Sequence, residues 1–188
     1  MKLFLRLGLI LLAFCVVATA LLAYVNSVTK PKIDALKIKE AEEARSSLIA
    51  GATFEALGFK AGDDSLSYFV AKDAKTGEIR GYTFTAAKTG YSSNVKTMAA
   101  IGADFKLIAI KVIEQAETPG LGANCTQSSF TDQFKGLAAD QVLVDKDGGP
   151  IKALTGATIT SRAIANSLQE QIALVRKDIE SRQLEAQP

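Results

Sequence analysis

The sequence predicts an α+β protein in which a single N-terminal transmembrane helix precedes one domain built from an antiparallel sheet and flanking helices. Three features carry this prediction: an uncharged apolar run near the start, strand-like segments between Ser67 and Ile113, and a long amphipathic segment at the end. A chain of 188 residues suffices for one ordinary domain and an appendage. We divide it into an anchor (1–28), a stalk helix (29–51), a domain (52–182) and a flexible tail (183–188).

Composition excludes several classes of protein. The net charge of +2 at pH 7 comes from balanced acids and bases, so we expect no nucleic-acid partner. Histidine is absent, which excludes Ser-His-Asp and Cys-His catalysis by this chain alone. Cys15 lies in the apolar run and Cys125 in the domain, so neither a disulfide between them nor a cysteine metal site is expected. We predict that Cys125 packs as a small apolar group, and that the chain has no catalytic residue and no metal site.

The apolar run is long enough to cross a bilayer. Residues 7–25 contain no charge, and a helix of that length measures roughly 28 Å, close to the hydrocarbon thickness of a membrane. The alternative is a cleaved signal peptide, because Lys2 and Arg6 precede the run and Ala18-Thr19-Ala20 has the form of a cleavage site. The run exceeds a typical signal core of about 7 to 15 residues. We therefore predict an uncleaved anchor that contacts lipid through residues 7–25.

Charge gives only a weak preference for orientation. Lys2 and Arg6 favour a cytoplasmic amino terminus, whereas Lys30 and Lys32 flank the other end of the run. Beyond it, Thr29-Lys30-Pro31 predicts a new helix that ends near Gly51. This helix is either a stalk leading out of the membrane or a partner-binding helix.

The central part of the chain has the pattern of two strand pairs. Tyr68–Val70 and the segment from Ile79 to Phe84 are joined by the turn residues 73–77, which predicts a hairpin. Residues 95–101 and 107–113 form the second pair, turning near residues 102–104. In the last strand the alternation predicts one buried face, made by Ile108, Ile110 and Val112.

A loop, a short helix and a strand are predicted next. Pro119-Gly120 favours a tight turn within residues 114–123, and Gly122 allows another group to approach closely. Residues 130–134 predict a short helix ending at Gly136, and residues 142–144 a strand entering a glycine-rich turn. The C-terminal segment predicts a helix, since apolar residues recur on one face at Ile164, Leu168, Ile172, Val175 and Ile179.

Hydroxyl side chains are concentrated where that last helix begins. We predict a helix start near Thr160 or Ser161, and both residues then serve as caps. Gly156 and Ala157 leave room beside Thr158 for a large planar group, and a helix N-terminus favours a phosphate. Thr158 is therefore our candidate for a phosphate-linked cofactor. The alternative is an ordinary helix cap without a ligand.

Several short motifs follow one another along the chain: Gly90-Tyr91-Ser92, residues 101–104, residues 117–122, residues 146–149 and residues 155–160. Together with the N-terminal anchor, their order and spacing resemble the RnfG family, the membrane-anchored, covalent FMN-carrying component of the Rnf electron-transport complex. The resemblance implies that residues 52–182 form an FMN-binding domain. It also implies that a flavin transferase joins FMN, taken from FAD with release of AMP, through a phosphoester to Thr158.

The resemblance also implies the other cofactor-binding residues and the location. These residues are Thr155, Gly156 and Ala157 of the motif and Glu117, Thr118, Leu121 and Gly122 of the preceding loop. The domain would lie on the extracytoplasmic side of the cytoplasmic membrane. Two departures are present: Lys152 stands where the motif usually has an acid, and Gln115-Ala116 stands where the family often has histidine.

The function that follows is electron relay. We expect a redox subunit of a ferredoxin/NAD-type, ion-translocating complex, incomplete as a catalyst by itself and associated with other membrane subunits. Outer-sphere electron transfer needs no catalytic acid, so the absence of histidine fits. The alternatives are the NqrC component of the Na+-translocating NADH:quinone reductase, which is usually longer, and an anchored, non-redox binding domain.

Overall fold

The computed structural model describes residues 2–61 and 64–185. They fall into two units that divide between Glu42 and Glu43. The first element, α1, is a helix from Lys2 to Leu48. By length and composition it is the one helix in the described part of the chain that could cross a membrane.

Helix α1 continues through Pro31, so the predicted new helix start at residue 29 is wrong. One turn before the proline, the hydroxyls of Ser27 and Thr29 donate to the carbonyls of Tyr24 and Val25 at 2.7 and 2.8 Å. Pro31 lacks the N–H that would donate to the Ser27 carbonyl, so these two bonds do not replace the one that the proline removes. A proline in the first turn and one inside a helix look the same in the sequence. The boundaries proposed for anchor, stalk and domain stay predictions.

The second unit contains a five-stranded antiparallel sheet in which each strand pairs with the next along the chain. The α+β fold and both predicted strand pairs are confirmed. The first strand was not predicted, because glycine, lysine and alanine interrupt its apolar pattern. The strands are β1 Ala52–Ala61, β2 Asp64–Asp73, β3 Ile79–Thr89, β4 Asn94–Ile101 and β5 Leu107–Glu114.

The predicted buried face of β5 is wrong at one position. Leu107 and Ile110 are buried, whereas Ile108 is 39% exposed. The pairing with β4 shifts register between Ala100 and Ile101. An irregularity of this kind inserts an extra residue and breaks the alternation of side chains. Periodicity within a single strand cannot reveal it.

The C-terminal helix, α3, runs from Thr158 to Glu185 and covers one face of the sheet. The predicted apolar face of this helix is confirmed, because all five of its residues are buried. They pack with sheet residues such as Tyr68 and Phe84 in the main core. Residues 183–185, which the sequence assigns to a flexible tail, are helical, and residues 186–188 lie outside the described residues.

The other face of the sheet is covered in part by the residues that follow Glu42. Ala44 and Ile49 are buried, and Ile49 packs against Ala71 and Ala100 in a second, smaller cluster. The Arg45 guanidinium lies 3.5 Å from the centroid of the Phe69 ring, a favourable cation–π contact. These contacts attach residues 44–49, at the start of the second unit, to the face of the sheet opposite α3.

The segment between β5 and α3 has little regular structure. The predicted short helix is confirmed as α2, Ser128–Thr131, with a 3₁₀ turn to Phe134. The strand predicted at 142–144 is wrong: within it only Val144 forms a bridge, to Ile151. The chain between these two residues turns so tightly that a Cβ on Gly149 would lie 2.0 Å from the Leu143 carbonyl oxygen. This turn leads the chain directly to the start of α3.

Candidate functional site

A cleft of 460 Å³ lies beside the first turn of α3. Seven of the eight predicted site residues line it, and Thr155 does not. Sequence reasoning missed three others. Tyr91 belongs to a motif to which the sequence analysis assigned no role. Ile159 is an apolar residue outside the predicted buried face of the last helix, and this was the sequence signal that could have found it. The lining residues are Tyr91, Glu117, Thr118, Leu121, Gly122, Gly156, Ala157, Thr158, Ile159 and Thr160.

Helix α3 begins at Thr158, two or three residues earlier than predicted. The preceding turn closes by a hydrogen bond from the Ala157 N–H to the Leu154 carbonyl at 2.9 Å. Gly156 occupies the left-handed region there with φ of 73°, which glycine adopts without steric cost. Thr158 is therefore a half-buried residue in the first helical turn, where backbone N–H groups favour an anion.

The two predicted caps have different roles. The Ser161 hydroxyl accepts from the Leu154 N–H and donates to the Ala157 carbonyl, each at 3.0 Å. It thereby fastens the motif turn to α3. The Thr160 hydroxyl does not cap the helix but donates to the Glu117 carboxylate at 2.6 Å.

Ser161→Ala is expected to lower the free energy of unfolding by about 1–2 kcal/mol, because the half-buried Leu154 N–H loses its acceptor. Urea unfolding of the full-length protein in detergent measures the change. Ser181→Ala is the matched control, since that exposed hydroxyl also bonds a carbonyl of α3 but holds no second segment. Equal stability of the two variants would contradict this role of Ser161.

The Glu117 side chain connects three segments of the site. Its Oε1 accepts from the N–H groups of Ser92 and Ser93 at 3.0 and 2.9 Å and from the Ser93 hydroxyl at 2.9 Å. Its Oε2 accepts from the Tyr91 N–H at 3.1 Å and from Thr160. The residue is only 5% exposed. Burial alone would raise its pKa, but the bonds from Thr160, Ser92 and Ser93 outweigh burial and lower the pKa to about 2.

Two glycines make room for this carboxylate. A Cβ on Gly122 would lie 2.8 Å from the Glu117 Cβ, and one on Gly90 would lie 2.8 Å from Oε1. The close approach predicted at Gly122 thus involves Glu117 and Thr160. Cys125, predicted to pack as an apolar group, is fully buried. Burial and the negative charge of Glu117 raise the pKa of its thiol to about 11, so the thiol is protonated at neutral pH.

Lys152, where the motif usually has an acid, is exposed. Its backbone N–H donates to the Gln133 side chain at 2.8 Å. A carboxylate is nevertheless present nearby, because Asp145 Oδ1 accepts from the Ala153 N–H at 3.2 Å. Asp147 forms a bidentate pair with Arg162 of α3. Across the described residues, no group of three or more potential His, Cys, Asp or Glu ligands lies close enough to hold a metal.

Comparison with known proteins identifies the family. Over 91% of its length, the chain is 33% identical to the G subunit of the Na+-translocating ferredoxin:NAD+ oxidoreductase complex of Acetobacterium woodii, of which it covers 91%. The chain belongs to the RnfG family. The RnfG resemblance is thereby confirmed, and residues 2–46 match the RnfG N-terminal region. Residues 90–173 match the FMN-binding domain family, a range that includes every residue lining the cleft.

Other relatives agree with membership of RnfG. The G subunit of the ion-translocating oxidoreductase complex of Methanosarcina acetivorans is 32% identical, covering 85% of this chain and 87% of that protein. Among solved structures, the C subunit of the Na+-translocating NADH-quinone reductase from Parabacteroides distasonis has a TM-score of 0.54 at 22% identity, over 70% of this chain and 78% of that one. This likeness concerns the fold.

Proposed function

We propose that this RnfG-family chain is a single-pass membrane subunit of an ion-translocating oxidoreductase complex, in which FMN bound covalently to Thr158 relays electrons. The observation that carries the proposal is the cleft beside Thr158, whose lining residues all fall within the match to the FMN-binding domain family. Other membrane subunits of the complex and a flavin transferase are the partners of this function.

The residues of the cleft fit FMN. A volume of 460 Å³ lies within the range of ordinary cofactor sites, roughly 300–1,000 Å³. Tyr91, Leu121 and Ile159 supply apolar surface for a planar ring, and Thr118 supplies a polar group. The Thr158 hydroxyl lies where the N-terminus of a long helix favours phosphate.

Bound FMN supplies the capacity to accept and donate electrons. The protein positions the cofactor and shields it. Attachment forms a bond from the Thr158 oxygen to the FMN phosphorus of FAD, breaks the pyrophosphate bond and releases AMP, while the hydroxyl proton leaves. Gly156 and Ala157 keep the approach to Thr158 open, and Ser161 holds their turn against α3. Leu121 and Ile159, which are 43% and 51% exposed, would cover apolar parts of the cofactor.

The intact mass of the full-length protein, purified after co-expression with a flavin transferase, tests this proposal. We expect one FMN adduct per chain and in-gel flavin fluorescence that survives denaturation. The same measurement reports whether residues 1–28 are retained. A protein without an adduct under these conditions contradicts the redox function and favours a non-redox binding domain.

The proposed orientation places the domain outside the cytoplasmic membrane. In a Cys15→Ala background, Lys75→Cys puts a thiol on the exposed turn between β2 and β3, while the native Cys125 stays buried. We expect a membrane-impermeant maleimide to label this variant in intact spheroplasts. Lys2→Cys is the control and is expected to react only after lysis. The reverse pattern would place the domain in the cytoplasm.

A further inference from the structure

The wall of the cleft carries an ionised carboxylate that is stabilised by neutral donors. Glu117 accepts three backbone N–H bonds, from residues 91–93, and hydroxyl bonds from Ser93 and Thr160. Within residues 2–61 and 64–185, no Lys or Arg side chain forms an ion pair with Glu117. The negative charge of Glu117 is therefore delocalised over hydrogen bonds but is not neutralised by a cation.

The groups around Glu117 do not supply a compensating charge. The loop of residues 91–93 contributes backbone N–H groups and the Ser93 hydroxyl, and α3 contributes the Thr160 hydroxyl. Among the described residues, Cys125 has a titratable side chain that interacts with the charge of Glu117, and its thiol is protonated at neutral pH. Tyr91, which also lines the cleft, carries a neutral phenol and donates its backbone N–H to Glu117. With only 5% of Glu117 exposed, water screens its charge poorly on the side of the cleft.

We propose that the Glu117 carboxylate lowers the reduction potential of the flavin held in this cleft and favours protonation of the reduced ring. The inference rests on the proposed function, because it requires FMN at Thr158. Reduction of the neutral ring by two electrons and one proton produces an anion, and by two electrons and two protons a neutral ring. A fixed negative charge on the same cleft destabilises the anion and favours uptake of the second proton.

A potentiometric titration of the full-length, flavin-loaded protein in detergent tests the inference, with dithionite as reductant. Glu117→Gln removes the charge and nearly keeps the shape, whereas Glu117→Asp keeps the charge. We expect Gln to favour the reduced flavin by at least tenfold, a rise of about 30 mV for a two-electron couple, and Asp to stay near the unsubstituted protein. Glu170→Gln removes an exposed carboxylate of α3 and is the matched control.

Three results would overturn the inference: an unchanged potential in Glu117→Gln, a fall, or equal shifts in the Gln and Asp variants, which would indicate a purely structural effect. Flavin content, measured separately, tests the proposed function. If the unsubstituted protein carries flavin but the potential of the Gln variant is unchanged, the electrostatic role of Glu117 is rejected and the proposed function is not.

A measurement on the unsubstituted protein decides the matter if Glu117→Gln does not fold or load. The pH dependence of its potential changes slope at the pKa of the reduced flavin. We expect this pH to lie above that of free FMN in the same buffer, because a neighbouring negative charge favours the protonated form. A break at or below the value for free FMN overturns the inference.

Discussion

Thr158→Ala is expected to abolish covalent flavin completely. The cleft still has its apolar walls in this variant, but the oxygen that forms the proposed phosphoester is missing. Flavin held there by non-covalent contacts alone would be lost on denaturation. Intact mass should fall to that of the unmodified chain, and in-gel fluorescence after denaturation should disappear. Persistence of the adduct would refute Thr158 as the attachment site.

Two variants separate the loss of this oxygen from damage to the cleft. Thr158→Ser keeps a hydroxyl at the first turn of α3 and is expected to retain an adduct. Thr118→Ala removes a different threonine hydroxyl from the same cleft and is expected to remain fully flavinylated. If Thr118→Ala lost its flavin while Thr158→Ala kept it, the roles of the two hydroxyls would be reversed.

Acidification below pH 4.5 is expected to remove the stabilisation that the ionised Glu117 contributes to the second unit. The pKa of Glu117 is lowered from 4.5 to about 2 in the folded protein. Because the folded pKa is the lower one, the stabilisation is fully present above pH 4.5 and is lost as the pH falls to 2. A difference of this size corresponds to roughly 3 kcal/mol. Urea unfolding of the full-length protein at several pH values measures it.

The contribution of Glu117 is read from a difference between variants, because other carboxylates also titrate in this range. Glu117→Gln should be less stable than the unsubstituted protein near neutral pH, with a gap that narrows between pH 4.5 and 2. Glu170→Gln, an exposed substitution on α3, should show no such narrowing. If the difference in stability between the two proteins stayed constant with pH, Glu117 would stabilise the fold through its hydrogen-bond geometry and not through its ionised state.

Local patterns in the sequence predicted the elements that depend on local chemistry. The apolar face of α3 was predictable because its spacing repeats over several turns, and the β2–β3 hairpin because a clear turn separates two apolar segments. The tight turn at Pro119-Gly120 was also correct, with a hydrogen bond from the Leu121 N–H to the Thr118 carbonyl and φ of 76° at Gly120.

The features that sequence reasoning missed depend on contacts between distant parts of the chain. The exposure of Ile108 follows from the register of β5 against β4. Thr160 had the pattern of a helix cap, but its partner is Glu117, which lies 43 residues away. Glu117 itself was predicted as a cofactor contact, and its observed bonds are to the protein. The spacing of the motifs indicated which residues come together at the cleft. It did not indicate which of these residues position the others.

The bonds of Glu117 determine how this site could be transplanted by protein engineering. Moving the Thr-Gly-Ala-Thr sequence to the start of another helix would transfer the proposed attachment point alone. The wall of the cleft would also require the loop that donates to the carboxylate, the threonine two residues after Thr158, and glycines equivalent to Gly90 and Gly122. A successful graft is therefore a three-segment unit, and the tetrapeptide is its smallest part.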